Sequence, residues 1–491
     1  MTPPKKDKDN INSNLQTPQI IEQIPKSPNL DCDSPLQKFR THQITTLTKD
    51  LKLDNQNLNK YQFIREPCTR KFTPDYSKLV SIDKIYKAYK NIRNTVVRTP
   101  LTHSYFLSQK YGANIYLKRE DQQVVRSFKL RGAYNKFLQL SKEDKQKGIV
   151  CASAGNHAQG VAYCCNKLKV QGIIFMPTNA PSIKLRSVRS FGGDYIKIQQ
   201  VGENFDECSK AAKEYSNKNN STFVHAYDDE AIIAGQGTVA VEILEDFKGN
   251  IDYVFCCVGG GGLCAGIGSY FKHVSPDTVL VPCEPSGCPS MKLAIETGKP
   301  EPLQKVNPFV DGAAVGIPGI RTHEILSNLV DSILLIPEGV VCQSLLELYN
   351  MESIVCEPAG ALAISGLNYY QDEIKGKNVV CIISGSNNDL SRLTDMKMLS
   401  QIEYGILHYM LVDFHQKPGS LREFIMNCME NEDDIVSIEY TKKNNRERGP
   451  AVVSIECPSR ENFEKIKEKM AKININYKIL LPGDQMFNLL L

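Results

Sequence analysis

The stretch Ser127-Phe128-Lys129-Leu130-Arg131-Gly132-Ala133 decides how the rest of the chain is read. It follows Leu117-Lys118-Arg119-Glu120-Asp121, a strand end entering a charged loop, and precedes Tyr134-Asn135-Lys136-Phe137-Leu138, which reads as helix. A lysine just ahead of a helix N-terminus lies near unpaired N–H groups and the positive end of the helix dipole, and both lower its pKa. An amine so lowered is available for Schiff-base chemistry. Position alone does not separate Lys129 from an ordinary solvated lysine, one of 59 basic residues. The loops further along do.

Outward from this stretch, short apolar runs at 113–117, 148–152, 172–177, 195–198, 253–258, 279–283 and 379–384 alternate with helical patterns at 81–92, 159–167, 205–216 and 236–245. Buried strands alternating with helices predict an α/β fold, a parallel sheet with helices on both faces. In such folds ligands sit at the carboxyl ends of the strands, and three unusual loops fall there. Ser153-Ala154-Gly155-Asn156-His157-Ala158 joins a strand to a helix. Its N–H groups suit a carboxylate or phosphate, and it reads equally as a helix cap with Ser153 or Asn156 capping. His157 reads as a packed histidine. Gly259-Gly260-Gly261-Gly262 precedes a helix opening near Leu263, and four glycines let backbone approach an anion closely. The spacing Gly260-x-Gly262-x-x-Ala265, with Glu284 ending the next strand, also fits a dinucleotide fingerprint, so a nicotinamide dehydrogenase is a rival from another reaction class. Ser384-Gly385-Ser386-Asn387-Asn388 closes the last strand with a hydroxyl able to donate to a ring nitrogen; alone it is a turn.

Composition narrows the classes. A net charge of only +4, with acids and bases interspersed, gives no nucleic-acid or membrane footprint. No apolar run reaches the roughly 18 residues of a membrane span. Sixteen scattered cysteines without a C-x-x-C pair predict buried free thiols in a reducing compartment and no metal site. Residues 1–75, rich in Asn, Gln, Lys, Pro and Asp, read as a disordered extension. Asp7, Asp9, Glu22, Asp31 and Asp33 precede the first arginine, Arg40, unlike an Arg-rich mitochondrial transit segment, so the cytoplasm is the expected location.

A reactive lysine, a phosphate cradle and a hydroxyl at separate strand ends together suit pyridoxal phosphate, whereas a dehydrogenase leaves the lysine and Asn156 loops without a role. The four motifs, in order over about residues 80–400, resemble the threonine dehydratases (threonine ammonia-lyases). That family has the two-lobed fold type II of tryptophan-synthase-β-like pyridoxal phosphate enzymes. The resemblance implies that Lys129 binds the cofactor aldehyde and later abstracts the substrate Cα proton. It further implies that Phe128 flanks the ring and Asn156 bonds the ring oxygen. Gly259, Gly260, Gly261, Gly262 and Leu263 would hold the phosphate, and Ser384 would meet the pyridine nitrogen. The substrate carboxylate would lie on Ser153, Ala154, Gly155 and Asn156. Serine racemases resemble the chain too, but carry a serine, the second-face base, where Ala154 stands; elimination is therefore favoured over racemisation. The cation site of some relatives, near Glu284, is not carried over, because the segment 284–290 supplies one carboxylate.

From Leu407 the pattern restarts: strand 407–414, turn Lys417-Pro418-Gly419, helix 420–430, strands 435–441 and 451–457, helix 460–471 and strand 477–480. This βαββαβ order predicts a ferredoxin-like α+β unit. Its alternative reading is an oligomerisation or packing module with no ligand. By resemblance it is the single ACT-like regulatory domain of short-form biosynthetic threonine dehydratases, with the run Tyr440 to Glu447 typical of that form. Isoleucine would act there as effector, near Pro418-Gly419. The resulting expectation is an extension over 1–75, a catalytic region over 76–400 and a regulatory domain over 404–491, in a homo-oligomer (dimer or tetramer). Its expected reaction is deamination of L-threonine, and more slowly L-serine, to 2-oxobutanoate and ammonia. A catabolic serine/threonine dehydratase is the alternative within the class.

Overall fold

Two sheets, one in each lobe as the two-lobed expectation implies, take up the alternating strands. The computed structural model describes residues 73–203, 205–440 and 447–490. The expected extension lies outside the described residues up to residue 72, as does most of the run from Tyr440 to Glu447. The strands are β1 (Leu101–His103), β2 (Asn114–Arg119), β3 (Ile149–Ala152), β4 (Gly172–Met176), β5 (Ile196–Gln200), β6 (Thr222–Phe223), β7 (Tyr253–Cys257), β8 (Val279–Pro285), β9 (Leu334–Ile336) and β10 (Asn378–Ile383). The smaller lobe has the order β5-β4-β3-β6, all parallel. The larger has β1-β2-β10-β7-β8-β9, parallel except for the antiparallel edge pair β1–β2. The strands β1, β6 and β9 escape the apolar pattern because each is only two or three residues long. Residues of β3 and β10 are buried almost throughout, as expected of strands covered by helices on both faces.

The residues of the opening stretch that do not carry chemistry hold its helix in place. Helix Lys129–Gln139 packs against helix Glu230–Asp246, which is buried nearly all round. The two backbones come close at Gly132 and Gly235: a Cβ on Gly235 would stand 2.6 Å from the Gly132 Cα. Next to Gly132 in the chain, Arg131 is fully buried between two carboxylates. It donates to Glu120 at 2.7 and 2.8 Å and to Glu242 at 2.7 and 2.8 Å. Lys118, also at 0% exposure, donates to Glu242 at 2.7 Å and to the Thr99 carbonyl at 2.7 Å. The desolvation of these charges is met by pairing on every side.

The C-terminal part has strands β11 (Leu407–His415), β12 (Asp434–Tyr440), β13 (Arg448–Glu456) and β14 (Asn476–Leu480). They form an antiparallel sheet of order β12-β13-β11-β14, with helices Ser420–Cys428 and Arg460–Lys472 between strands in the predicted sequence. Its core holds Met410, Val412, Phe414, Phe424, Phe463 and Ile466. Helix Leu393–Glu403 leads into it, and the Arg460 guanidinium donates to the Glu403 carbonyl at 2.9 Å. Among the described residues no helix is long and apolar enough to cross a membrane, and the described cysteines are free and buried.

Candidate active site

The carboxyl ends of β2, β10 and β7 lie side by side in the larger sheet and bring the motifs together. The link is backbone pairing between the opening stretch and the loop after β10. Phe128 N–H donates to the Ser384 carbonyl at 3.1 Å, Ser386 N–H to the Arg126 carbonyl at 2.9 Å, and Ser127 bridges Gly385. Arg126 takes φ +58° to make this turn, a conformation that costs a non-glycine residue of order 1 kcal/mol. Lys129 and Ser384, 255 positions apart in sequence, therefore share one wall.

The helix starts at Lys129 itself, not near Tyr134, and its N-cap Phe128 is helical in conformation. The physical reason for the lowered lysine pKa changes with it. Burial, rather than proximity to a helix end, is the leading cause that takes Lys129 down to about 8. Its Nζ donates to the Ala226 carbonyl at 3.0 Å and lies 5.1 Å from the Phe128 ring centroid.

The glycine cradle is built by close approach. Helix Gly262–Val274 begins after Gly261, whose φ of +86° calls for glycine, and no side chain caps it. A Cβ on Gly260 would fall 2.3 Å from the ring of Tyr227, and one on Gly259 2.7 Å from the Ala313 carbonyl oxygen. Tyr227 is fixed by its hydroxyl, which donates to the Ile317 carbonyl at 2.9 Å. Leu263 points into the core at 3% exposure.

On the smaller lobe, helix Asn156–Leu168 has Gly155 as N-cap and no side-chain cap, so neither Ser153 nor Asn156 performs the capping that the sequence allowed. The Ser153 hydroxyl instead accepts from Gly155 N–H at 3.1 Å. His157 is buried, with its Nε2 3.0 Å from the Val224 carbonyl. Burial, then the charge of Lys129, pushes it down to about 3, which is a packed neutral histidine. Between the lobes opens a cleft of about 260 Å³ lined by Arg126, Gln159, Lys184, Asp311, Asn387 and Arg392. Lys184 pairs with Asp311 across it.

Two observations test whether a phosphorylated pyridine fits. The Ser384 hydroxyl is buried and, among the described residues, meets no nitrogen or oxygen partner and only the thiol of Cys257, a weak partner that a ring nitrogen would replace. The glycine turn leaves an uncapped helix N-terminus beside it. The dinucleotide alternative fails on Glu284, whose Oε1 and Oε2 accept from Met291 N–H at 2.7 Å and Lys292 N–H at 3.0 Å. It receives the first turn of helix Ser290–Thr297 and is fully buried, out of reach of a ribose. Sequence reasoning missed Tyr227 and Glu357, and it quoted Asn387 within the stretch Ser384 to Asn388 without giving it a role. Tyr227 and Glu357 lie in no glycine-rich or lysine motif, and Glu357-Pro358 signals only a helix start.

Comparison with known proteins gives the family. Residues 92–385 match the family described as "Pyridoxal-phosphate dependent enzyme", and residues 399–491 match "C-terminal regulatory domain of Threonine dehydratase". The chain is 46% identical over 412 residues to "L-threonine dehydratase biosynthetic IlvA" of Halalkalibacterium halodurans, covering 84% of this chain and 99% of that protein. It is 48% identical over 413 residues to the protein of the same name from Bacillus subtilis, covering 84% and 98%. Among solved structures, the processed form of threonine deaminase isoform 2 from Solanum lycopersicum is 38% identical at a TM-score of 0.62, covering 67% of this chain and 96% of that one. A serine racemase from Dictyostelium discoideum is 28% identical at a TM-score of 0.59, covering 63% and 99%. The chain belongs to the pyridoxal-phosphate dependent enzymes and, within them, to the biosynthetic threonine dehydratases.

Proposed function

We propose that this chain deaminates L-threonine to 2-oxobutanoate and ammonia, the first step towards isoleucine, and acts more slowly on L-serine. The observation that carries the reading is a partly buried lysine amine, lowered to about 8, that shares one wall with the buried Ser384 hydroxyl at the sheet edge where the glycine cradle also lies. Pyridoxal phosphate, when bound, supplies the electron sink that lets the Cα proton and the β-hydroxyl depart. Lys129 holds its aldehyde and then takes the Cα proton. Phe128 lines the ring face, and Asn156 donates to the ring oxygen. Gly259, Gly260, Gly261, Gly262 and Leu263 surround the phosphate. Ser384 meets the pyridine nitrogen as a neutral group, so it adds no proton there and holds the ring to modest electron withdrawal. Ser153, Ala154, Gly155 and Asn156 take the substrate carboxylate at their helix N-terminus.

The cradle makes one direct expectation. Gly260→Ala puts a methyl group into the Tyr227 ring, and displacing that ring costs about 1–3 kcal/mol. Cofactor affinity should fall about tenfold or more, read by titrating the visible absorption of the bound cofactor. Wild-type affinity in that variant contradicts the assignment of the loop to the phosphate.

The region 76–400 forms the catalytic part in this reading and 404–491 a regulatory domain, in a cytoplasmic homo-oligomer. Isoleucine is the proposed effector of the C-terminal sheet, near Lys417-Pro418-Gly419. The test is 2-oxoacid formation from L-threonine and L-serine, each with and without isoleucine. Faster turnover of threonine, suppressed by isoleucine, is expected. Turnover indifferent to isoleucine removes the regulatory part of the proposal. No 2-oxoacid from either substrate in protein that holds its cofactor removes the whole of it.

A further inference from the structure

Glu357 has no part in the roles above, yet it lies at the centre of the site. It precedes helix Pro358–Gly366 and is 3% exposed. Its N–H donates to the Gly385 carbonyl at 3.1 Å, and a Cβ on Gly385 would stand 2.6 Å from its Oε1. The carboxyl group therefore abuts the backbone immediately after Ser384.

From there a chain of hydrogen bonds runs to the smaller lobe. Asn156 Nδ2 donates to Glu357 Oε1 at 2.6 Å. The Asn156 Oδ1 accepts from Asn387 Nδ2 at 2.6 Å, and Asn387 Nδ2 also donates to the Val125 carbonyl at 2.9 Å. A side-chain amide has two N–H donors and one acceptor oxygen. With the oxygen committed to Asn387 and one N–H to Glu357, Asn156 is oriented from both ends and has one N–H remaining. If the acceptor at Glu357 is removed, a buried N–H is left unpaired, and the amide relieves that by rotating.

We propose that Glu357 is a positioning residue: by accepting one N–H of Asn156 it aims the other at the ring oxygen of the cofactor. This rests on the assignment of Asn156 to that oxygen. The charged and titratable groups facing Glu357 are Asp311, Lys184, Cys257 and Lys129, with Cys356 beside it in the chain. Burial, then Asp311, raises its carboxyl to about 8 against the opposing effect of Asn156 and Lys184. A protonated carboxyl still accepts through its carbonyl oxygen, so the device operates on both sides of that pH.

The test uses holoenzyme of Glu357→Leu, Glu357→Gln, Asn156→Ala and the Leu/Ala double variant, each with its melting curve. Cofactor affinity and the pH midpoint of the visible absorption band are read for each. Glu357→Leu should weaken cofactor binding about tenfold and move the band midpoint. Glu357→Gln, which keeps an acceptor, should restore both, and Glu357→Leu should add nothing once Asn156 is alanine. Where Glu357→Leu does not fold, Glu357→Asp, which withdraws the acceptor by one methylene, carries the same comparison. Wild-type binding and band in the Leu variant, or additive effects in the double variant, overturn the inference. An unmoved band in Asn156→Ala overturns it together with the assignment of Asn156, whereas a moved band there with an unmoved one in Glu357→Leu overturns the inference alone.

Discussion

Lys129→Ala should reduce 2-oxobutanoate formation by at least roughly 10³-fold, because one group both holds the cofactor and moves the Cα proton. The fold should survive. The amine makes one hydrogen bond, to the Ala226 carbonyl, and its burial is unfavourable to its charge, so its removal takes little from stability. Unchanged melting with lost colour and lost turnover is the expected combination. The pH dependence follows from the same amine. Its pKa is lowered to about 8, and only the unprotonated form attacks an aldehyde. Below that value the lysine is mostly protonated, so the rate of covalent capture of added pyridoxal phosphate should climb as pH rises through about 8 and level off above it. A capture rate that ignores pH across that value contradicts the assignment.

Arg131→Met should cost about 3–5 kcal/mol of stability, because it leaves Glu120 and Glu242 as buried carboxylates with one fewer cation between them. Lys118 reaches Glu242 at 2.7 Å and offers nothing of that kind to Glu120 among the described contacts. The exposed pair Lys375–Asp372 is the contrast: at 66% and 89% side-chain exposure, breaking it should move stability by less than about 1 kcal/mol. The midpoint of chemical denaturation reads both. A shift for Arg131→Met no larger than that for Lys375→Ala would show that the buried network does not hold the lysine helix against its neighbours.

The chemistry-bearing loops were legible in the sequence because each is made of residue types that ordinary loops do not need. Four consecutive glycines after a strand and Ser384 at a strand end stand at the carboxyl ends of parallel strands, as expected, whereas Lys129 opens its helix and does not precede it. What was not legible depends on tertiary placement. The lysine's lowered pKa was expected from a helix end and arises chiefly from burial, which no local pattern displays. Glu284 fits a ribose-binding spacing and instead receives the first turn of the helix that follows it, because Met291 and Lys292 fold back onto its two oxygens. Apolar runs told strands from helices but not which sheet each strand would join. Separating β3 to β6 into their own lobe depends on pairing partners far apart in the chain. Glu357 and Asn387 are ordinary in sequence and meet Asn156 only across the two lobes.

The most direct measurement reduces the pyridoxal-phosphate-loaded protein with borohydride and maps the modified peptide by mass spectrometry. The expected result is a yellow protein that bleaches on reduction and carries a single pyridoxyl group on Lys129. A pyridoxyl group on another lysine, or a protein that neither colours nor retains the label, contradicts the assignment of this site.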